Sequence, residues 1–369
     1  METHTVLSGT TTSRRGSLVQ SPGRILIFQT AFTGDVVLTL PLIQHLHEAL
    51  SGVLIDIVAV PAAARVLRGH PAIHRIVEYD KKGKQKGPAA AYSLVRSLQE
   101  SQYGVAIVPH RSIRSAAICY FAGIPRRIGF SKSSGRFLFT DIVSYQKDQH
   151  EVLRNLSLAE PLDIFPKGDL LPRLYPSDDD KRVVEALLSA NPSARNSSTV
   201  AVAPGSVWAT KRWLPERYAE LTGRLVREGL SVVLIGGEDD LPIGNMIESN
   251  VQSDRILNTM GKLTLLQSAE MIGRCKVAVT NDSSPMHLAV AMRTPVVAIF
   301  GATVPEFGFA PLGSRDEIVQ TSGLDCRPCA IHGGNSCPIK TFVCMKNIAV
   351  ETVLGKVHAL LSKNRVEVA

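Results

Sequence analysis

Long apolar runs are missing from this chain. The best one, LAVAMRTPVVAIF, is broken by Arg293 and Pro295 and falls short of the ~18 residues that a membrane-spanning helix needs, which excludes a helical integral membrane protein. Aromatic residues make up only 5% of the 369 positions and do not interleave with the basic runs. Without stacking platforms or a recognisable nucleic-acid module, nucleic acid is not an expected partner. No GxGxxG follows the first apolar run and no GxxxxGK[ST] occurs, which weighs against a dinucleotide oxidoreductase and a P-loop NTPase. The stretch METHTVLSGTTTSRRGSLVQSPG lacks the apolar centre of a signal peptide, so residues 1–23 read as a disordered tail and the protein as cytoplasmic.

What is present is a repeated alternation of strand and helix patterns. RILIFQ, VLIDIVAV, HRIVEY and GVAIVP are short β-rich runs separated by helical stretches such as VVLTLPLIQHLHEAL and AAYSLVRSLQ. After a Pro-rich and turn-rich segment from about Leu158 to Pro176 the pattern restarts with TVAVAPG, LSVVLIGGE, RILNT, KVAVTND and PVVAIFG. This predicts an α/β protein of two Rossmann-like, doubly wound domains, residues 24–175 and 176–369, facing each other across a cleft. Ligands of open α/β sheets bind beyond the carboxyl ends of the strands, so chemistry is expected in the loops that follow them.

Charge is unevenly placed. From Val60 to Arg136 there are fourteen Lys and Arg against three acids, while the whole chain carries +8. Such a basic sector suits an anionic partner such as a phosphorylated headgroup or an anionic membrane face, with a merely solvated surface as the competing reading for the KKGKQK run.

Four strand-end loops carry polar groups suited to a nucleotide sugar. KVAVTNDSSPMHLAVAMRTPVVAIF reads as strand, polar turn, helix and strand, with Pro285 in the first helical turn. Unpaired N–H groups at such a helix start favour phosphate near Asp282, Ser283 and Ser284, although an ordinary capped loop reads the same way. In QTAFTGDV, Gly34 permits a tight turn and Asp35 starts a helix, where it serves either as a general base or as a cap. APGSVWATKRW combines Gly205 and Ser206 with Lys211, a point charge able to stabilise a departing diphosphate, while Trp213 reads as packing. Glu238 follows a strand and two glycines, a common place for a ribose-binding carboxylate. His287 lies one turn into its helix, where a structural role is the commoner one.

Cys326, Cys329, Cys337 and Cys344 form C-x2-C-x7-C-x6-C, a spacing open to a structural metal site or to reduced structural thiols. The loop 326–344 is not expected in catalysis. Cys119 and Cys275 read as buried apolar residues.

GDV after the first strand, PGS followed by TKRWLPERYAEL, IGGEDD, and NDSSPMHLAVAMRTPVVAIFGAT occur in this order in glycosyltransferase family 9. The chain resembles its lipopolysaccharide heptosyltransferases, most of all the heptosyltransferase II branch, from about Arg24 to the end. HRSIRSAAICYFAGIPRRIGF and LDCRPCAIHGGNSCPIKTFVCMKNI add to the similarity. The resemblance implies a GT-B fold and inverting transfer of a heptose from ADP-L-glycero-D-manno-heptose to the inner core of lipopolysaccharide, with no cofactor or catalytic metal. It implies Asp35 as general base and Lys211 as the contact to the diphosphate and sugar. Gly205, Ser206, Glu238, Asp282, Ser283, Ser284 and His287 would complete the donor site, with Ser284 standing where the family often has glycine. The acceptor would be an anionic, lipid-anchored oligosaccharide met at the inner membrane face, and Arg65, Arg68, Arg111, Arg114, Arg126 and Arg127 are candidates to bind it. Competing readings are a nucleotide-sugar epimerase of similar architecture and a noncatalytic nucleotide-binding module.

Overall fold

The computed structural model describes residues 23–81, 83–196 and 198–366; apart from Gly23, the tail expected at residues 1–23 lies outside them. Two parallel six-stranded sheets are present. The first holds β1 (Arg24–Phe28), β2 (Leu54–Ala59), β3 (Arg75–Glu78), β4 (Val105–Val108), β5 (Arg126–Phe130) and β6 (Asp141–Val143), in the order β3-β2-β1-β4-β5-β6. The second holds β7 (Thr199–Ala203), β8 (Ser231–Leu234), β9 (Ile256–Asn258), β10 (Val277–Asn281), β11 (Val296–Phe300) and β12 (Glu317–Gln320), in the order β12-β11-β10-β7-β8-β9. Each is the doubly wound order, and each reverses direction between its first and fourth strands, where a crevice opens.

The sequence accounts for the centre of each sheet. In β1 the residues Ile25, Leu26, Ile27 and Phe28 are all buried, because helices cover both faces of a parallel sheet. Ile25 and Ile27 join one core cluster that runs on through Ala201, Ala203 and Val233 of the second sheet, whereas Leu26 and Phe28 pack on the opposite face. Strands at or next to a sheet edge are less apolar. RRIGF, DIV and EIVQ pair as β5, β6 and β12 but carry too few apolar residues to stand out as runs, so they are absent from the sequence expectation. The single helix expected over VVLTLPLIQHLHEAL is two, Thr33–Val37 and Leu40–Ala49, the second starting with Pro41 in its first turn.

The helix Glu151–Ser157 bridges the two sheets' loops. The Asn155 side chain donates to the Leu38 carbonyl at 3.1 Å, and Arg154 Nη2 donates to the Phe307 carbonyl at 2.7 Å. The Glu151 backbone N–H donates to the Gly308 carbonyl at 2.8 Å. Among the described residues no helix is long and apolar enough to cross a membrane.

Candidate active site

Both crevices open into one cleft of about 540 Å³. The first sheet contributes Phe32, Gly34 and Asp35, and the second contributes Gly205, Ser206, Lys211, Asp282, Ser283, Ser284 and His287. Of the donor and catalytic residues expected from sequence, only Glu238 is outside this lining. It is exposed at the start of the turn Glu238–Asp240, whose next two residues, Asp239 and Asp240, do line the cleft.

Asp35 is the third residue of the helix Thr33–Val37, and its Oδ2 accepts the Phe32 N–H at 3.2 Å. Capping therefore occupies part of this carboxylate, whose two oxygens retain room for another donor. Burial raises its pKa above the ordinary carboxylate value, and the His332 charge, the Phe32 N–H and Lys211 pull the other way.

The two helix starts touch. A Cβ at Gly34 would fall 2.8 Å from His287 Cδ2, so only glycine lets the Asp35 turn approach this ring. Burial lowers the His287 pKa to about 4, against the opposing pull of Asp282, which leaves the imidazole neutral at pH 7 and suits packing rather than proton transfer.

Lys211 ends the short turn Ala209–Lys211, and its Nζ lies 2.6 Å from Asp282 Oδ2. The same oxygen accepts Thr303 Oγ1 at 2.7 Å, and the Asp282 N–H is bonded to the Ile299 carbonyl at 3.0 Å. Asp282 thus fixes the ammonium instead of offering its own N–H to an anion. Ser283 is the extended cap residue and Ser284 the first residue of the helix Ser284–Ala291, with no acid in the first turn. Ser284 is not among the described residues with positive φ, so serine meets the backbone demand where the family often has glycine.

Asn281, one polar residue of the turn in the sequence, is the brace between the loops that follow β7 and β10. Thr280 is level with Ala203 in the ladder, which brings Asn281 beside Pro204. Its Nδ2 donates to the Pro204 carbonyl at 2.7 Å, while its Oδ1 accepts the Trp213 N–H at 2.9 Å and the Tyr218 hydroxyl at 3.0 Å. Losing this side chain would leave buried groups unpaired at about 1–3 kcal/mol each. Trp213 is buried, as expected of packing. A Cβ on Gly205 would meet the Asp240 carboxylate, so a larger residue there would push that side chain aside. Farther along, Ile235, Leu263 and Leu265 form an apolar wall beside Gly236 and Gly237.

Of the six candidate arginines, Arg65 alone is on the cleft wall. Arg68 reaches Glu78 at 4.0 Å, Arg111 lies over the Tyr145 ring at 4.7 Å, and Arg114 is exposed. Arg126 pairs with Asp141 at 3.0 Å and Arg127 donates to the Leu138 carbonyl at 2.7 Å, so both are engaged within residues 126–141.

The Cys-rich loop 326–344 reaches the cleft, where Ile331 and His332 form part of the wall and the His332 ring stands 6.1 Å from that of Phe32. Gly334 and Thr210 fasten it by paired bonds of 2.8 and 3.0 Å, and Arg327 donates to the Thr303 carbonyl at 2.6 Å. Among the described residues no group of three or more His, Cys, Asp or Glu side chains is set to hold an ion. Cys344 faces the core of the second sheet, and Cys329 Sγ donates to the Cys326 carbonyl at 3.2 Å. Cys119 and Cys275 are buried, which pushes both thiols up to about 12.

Residues 91–336 match the model of glycosyltransferase family 9 (heptosyltransferase). The chain is 30% identical over 312 residues to lipooligosaccharide heptosyltransferase 2 of Haemophilus influenzae, covering 80% of this chain and 88% of that protein. It is 28% identical over 309 residues to lipopolysaccharide heptosyltransferase 2 of Escherichia coli, with the same coverage of 80% and 88%. Among solved structures, ADP-heptose lps heptosyltransferase II of E. coli superposes with a TM-score of 0.76 at 26% identity, covering 93% of this chain and 99% of that one. A family 9 glycosyltransferase from Veillonella parvula shares the fold with a TM-score of 0.85 at 21% identity, covering 95% and 100%. With this fold, this cleft and these relatives, the chain belongs to glycosyltransferase family 9.

Proposed function

We propose that this glycosyltransferase moves a heptose from ADP-L-glycero-D-manno-heptose to the inner core of lipopolysaccharide with inversion at the anomeric carbon. One observation carries the proposal: Asp35 from the first sheet and Lys211, braced by Asp282, from the second line a single cleft beside the start of the helix Ser284–Ala291. The acceptor hydroxyl attacks the anomeric carbon from the face opposite ADP. Asp35 takes its proton as the new C–O bond forms, and the bond to the diphosphate oxygen breaks with its electron pair going to ADP. Lys211 and the helix start, through Ser283 and Ser284, hold the charge that develops there, so no catalytic metal or other cofactor is invoked. Adenine sits against the wall of Ile235, Leu263 and Leu265, and the ribose meets the acidic turn Glu238–Asp240. Residues 24–175 act as the acceptor domain, with Arg65 at the cleft, and residues 176–369 as the donor domain. The acceptor is an anionic, lipid-anchored oligosaccharide, and the enzyme works in the cytoplasm with peripheral contact to the inner membrane face.

Incubation with ADP-heptose, with and without truncated lipopolysaccharide, tests this directly. Acceptor-dependent release of ADP is the expected result. Isomerisation of the donor without acceptor would make the protein an epimerase, and no turnover in either arm would make it a noncatalytic nucleotide-binding module.

A further inference from the structure

The helix Ile113–Phe121, which follows β4, is apolar on both sides. It buries Ser115, Ala116, Ile118 and Cys119, yet turns Ile113, Tyr120 and Phe121 outward at 50%, 48% and 64% exposure. With Arg114 and Ala117 these positions form one helical stripe, the pattern of a face that should be covered. The turn Arg136–Leu138 packs beside the start of this helix, where a Cβ on Gly135 would strike Ala116 at 2.6 Å, and it adds Phe137 at 72% exposure. Together these four side chains expose on the order of 400 Å² of apolar surface, enough to mark an interaction site.

The surrounding charge identifies what covers it. Arg114, Lys132 and Arg136 are exposed around the patch, and no Asp or Glu occurs from Ser101 to Thr140. Apolar and aromatic tips ringed by cations of one sign fit the interface of an anionic bilayer, where rings occupy the headgroup level and basic side chains meet lipid phosphates. The face also leads to the cleft. Arg111, just before the helix, lies over the Tyr145 ring, the Arg154 guanidinium lies 5.0 Å from the centre of that ring, and Arg154 bonds to Phe307 of the cleft wall.

We propose that this face docks on the anionic surface of a lipid bilayer, with Phe121 and Phe137 entering the headgroup region and Arg114, Lys132 and Arg136 meeting lipid phosphates. As the means by which the cleft meets its acceptor, the contact rests on the proposal that the acceptor is lipid-anchored. The test uses the full chain with vesicles of phosphatidylglycerol and phosphatidylethanolamine, against vesicles of phosphatidylcholine, with neither donor nor acceptor present. Co-sedimentation with the anionic vesicles is expected, weakening about fivefold for each basic residue reversed in Lys132→Glu and Arg136→Glu. The double variant Phe121→Ser/Phe137→Ser should lose vesicle binding while keeping its ADP release on a delipidated, soluble acceptor, which also reports that it is folded. Failure of the wild type to bind anionic vesicles would overturn the proposal. So would unchanged binding in both sets of variants, or wild-type self-association abolished by the Phe changes without any vesicle binding. Vesicle binding without ADP release on any acceptor would instead count against the proposed reaction and leave the docking surface standing.

Discussion

Two helix starts meet at the cleft, and they treat negative charge in opposite ways. The helix Thr33–Val37 follows β1 and carries its own acid, Asp35, in its first turn. The helix Ser284–Ala291 follows β10 and has no first-turn acid, while Lys211 lines the cleft beside it. Both loops leave their sheets at the reversal of strand order. A helix start favours a nearby anion by about 0.3–1 kcal/mol at exposed positions and up to ~2 kcal/mol when partly buried. The first helix spends that preference on its own carboxylate, whereas the second has it available for a ligand. In the proposed reaction one topology thus supplies a proton acceptor on one wall and an anion cradle on the other, and the residues after each strand decide which.

Exchanging or removing these charges breaks the comparison. The largest effect is expected from Asp35→Asn, which keeps the shape but cannot take a proton: turnover should fall about 10³-fold while ADP affinity by calorimetry stays close to wild type. Retention of near wild-type turnover would remove Asp35 as the base. Lys211→Ala should lower turnover about 10²-fold and weaken ADP binding, because Asp282 is left without its cation in the cleft. Kinetics unchanged at saturating donor would exclude Lys211 from the reaction. Ser284→Asp gives the second helix start an acid of its own, as in the first; ADP should bind about tenfold more weakly, and equal affinity would show that the anion sits elsewhere.

The smallest effect sharpens the first wall. As the proposed base, Asp35 must be ionised to act, so turnover should fall as pH drops through its pKa, which burial has raised. The His332 charge lowers that pKa, so His332→Gln should raise it and move the acid limb of kcat/KM to higher pH. Lys211, which also pulls it down, and Glu151, whose own pKa is raised to about 7 chiefly by burial, are the other charged groups near Asp35. A superimposable pH profile would show that the His332 wall does not act on Asp35.

Much of the cleft is legible along the chain because its residues are adjacent to strands that announce themselves. Asp35, Gly205, Ser206, Lys211, Ser283 and Ser284 each follow an apolar run, and a parallel sheet sends all such ends the same way. Other features depend on partners far away in sequence. Asn281 looks like any turn residue until Pro204, Trp213 and Tyr218 are beside it. Glu238 has the expected position after β8, but the turn it begins places Asp239 and Asp240 on the wall instead.

By itself, the sequence determined the two doubly wound halves and the loops that line the cleft, because burial on both faces forces the central strands to be continuous apolar runs and the turns between them to be polar. Tertiary structure alone decided how the walls are braced and closed. Asn281 ties one loop to the other, Thr303 and Asp282 fix Lys211, and the Cys-rich loop brings Ile331 and His332 to the cleft wall. These are contacts between side chains and backbone groups far apart in the chain, and local periodicity carries no record of which distant group will satisfy a buried donor or acceptor.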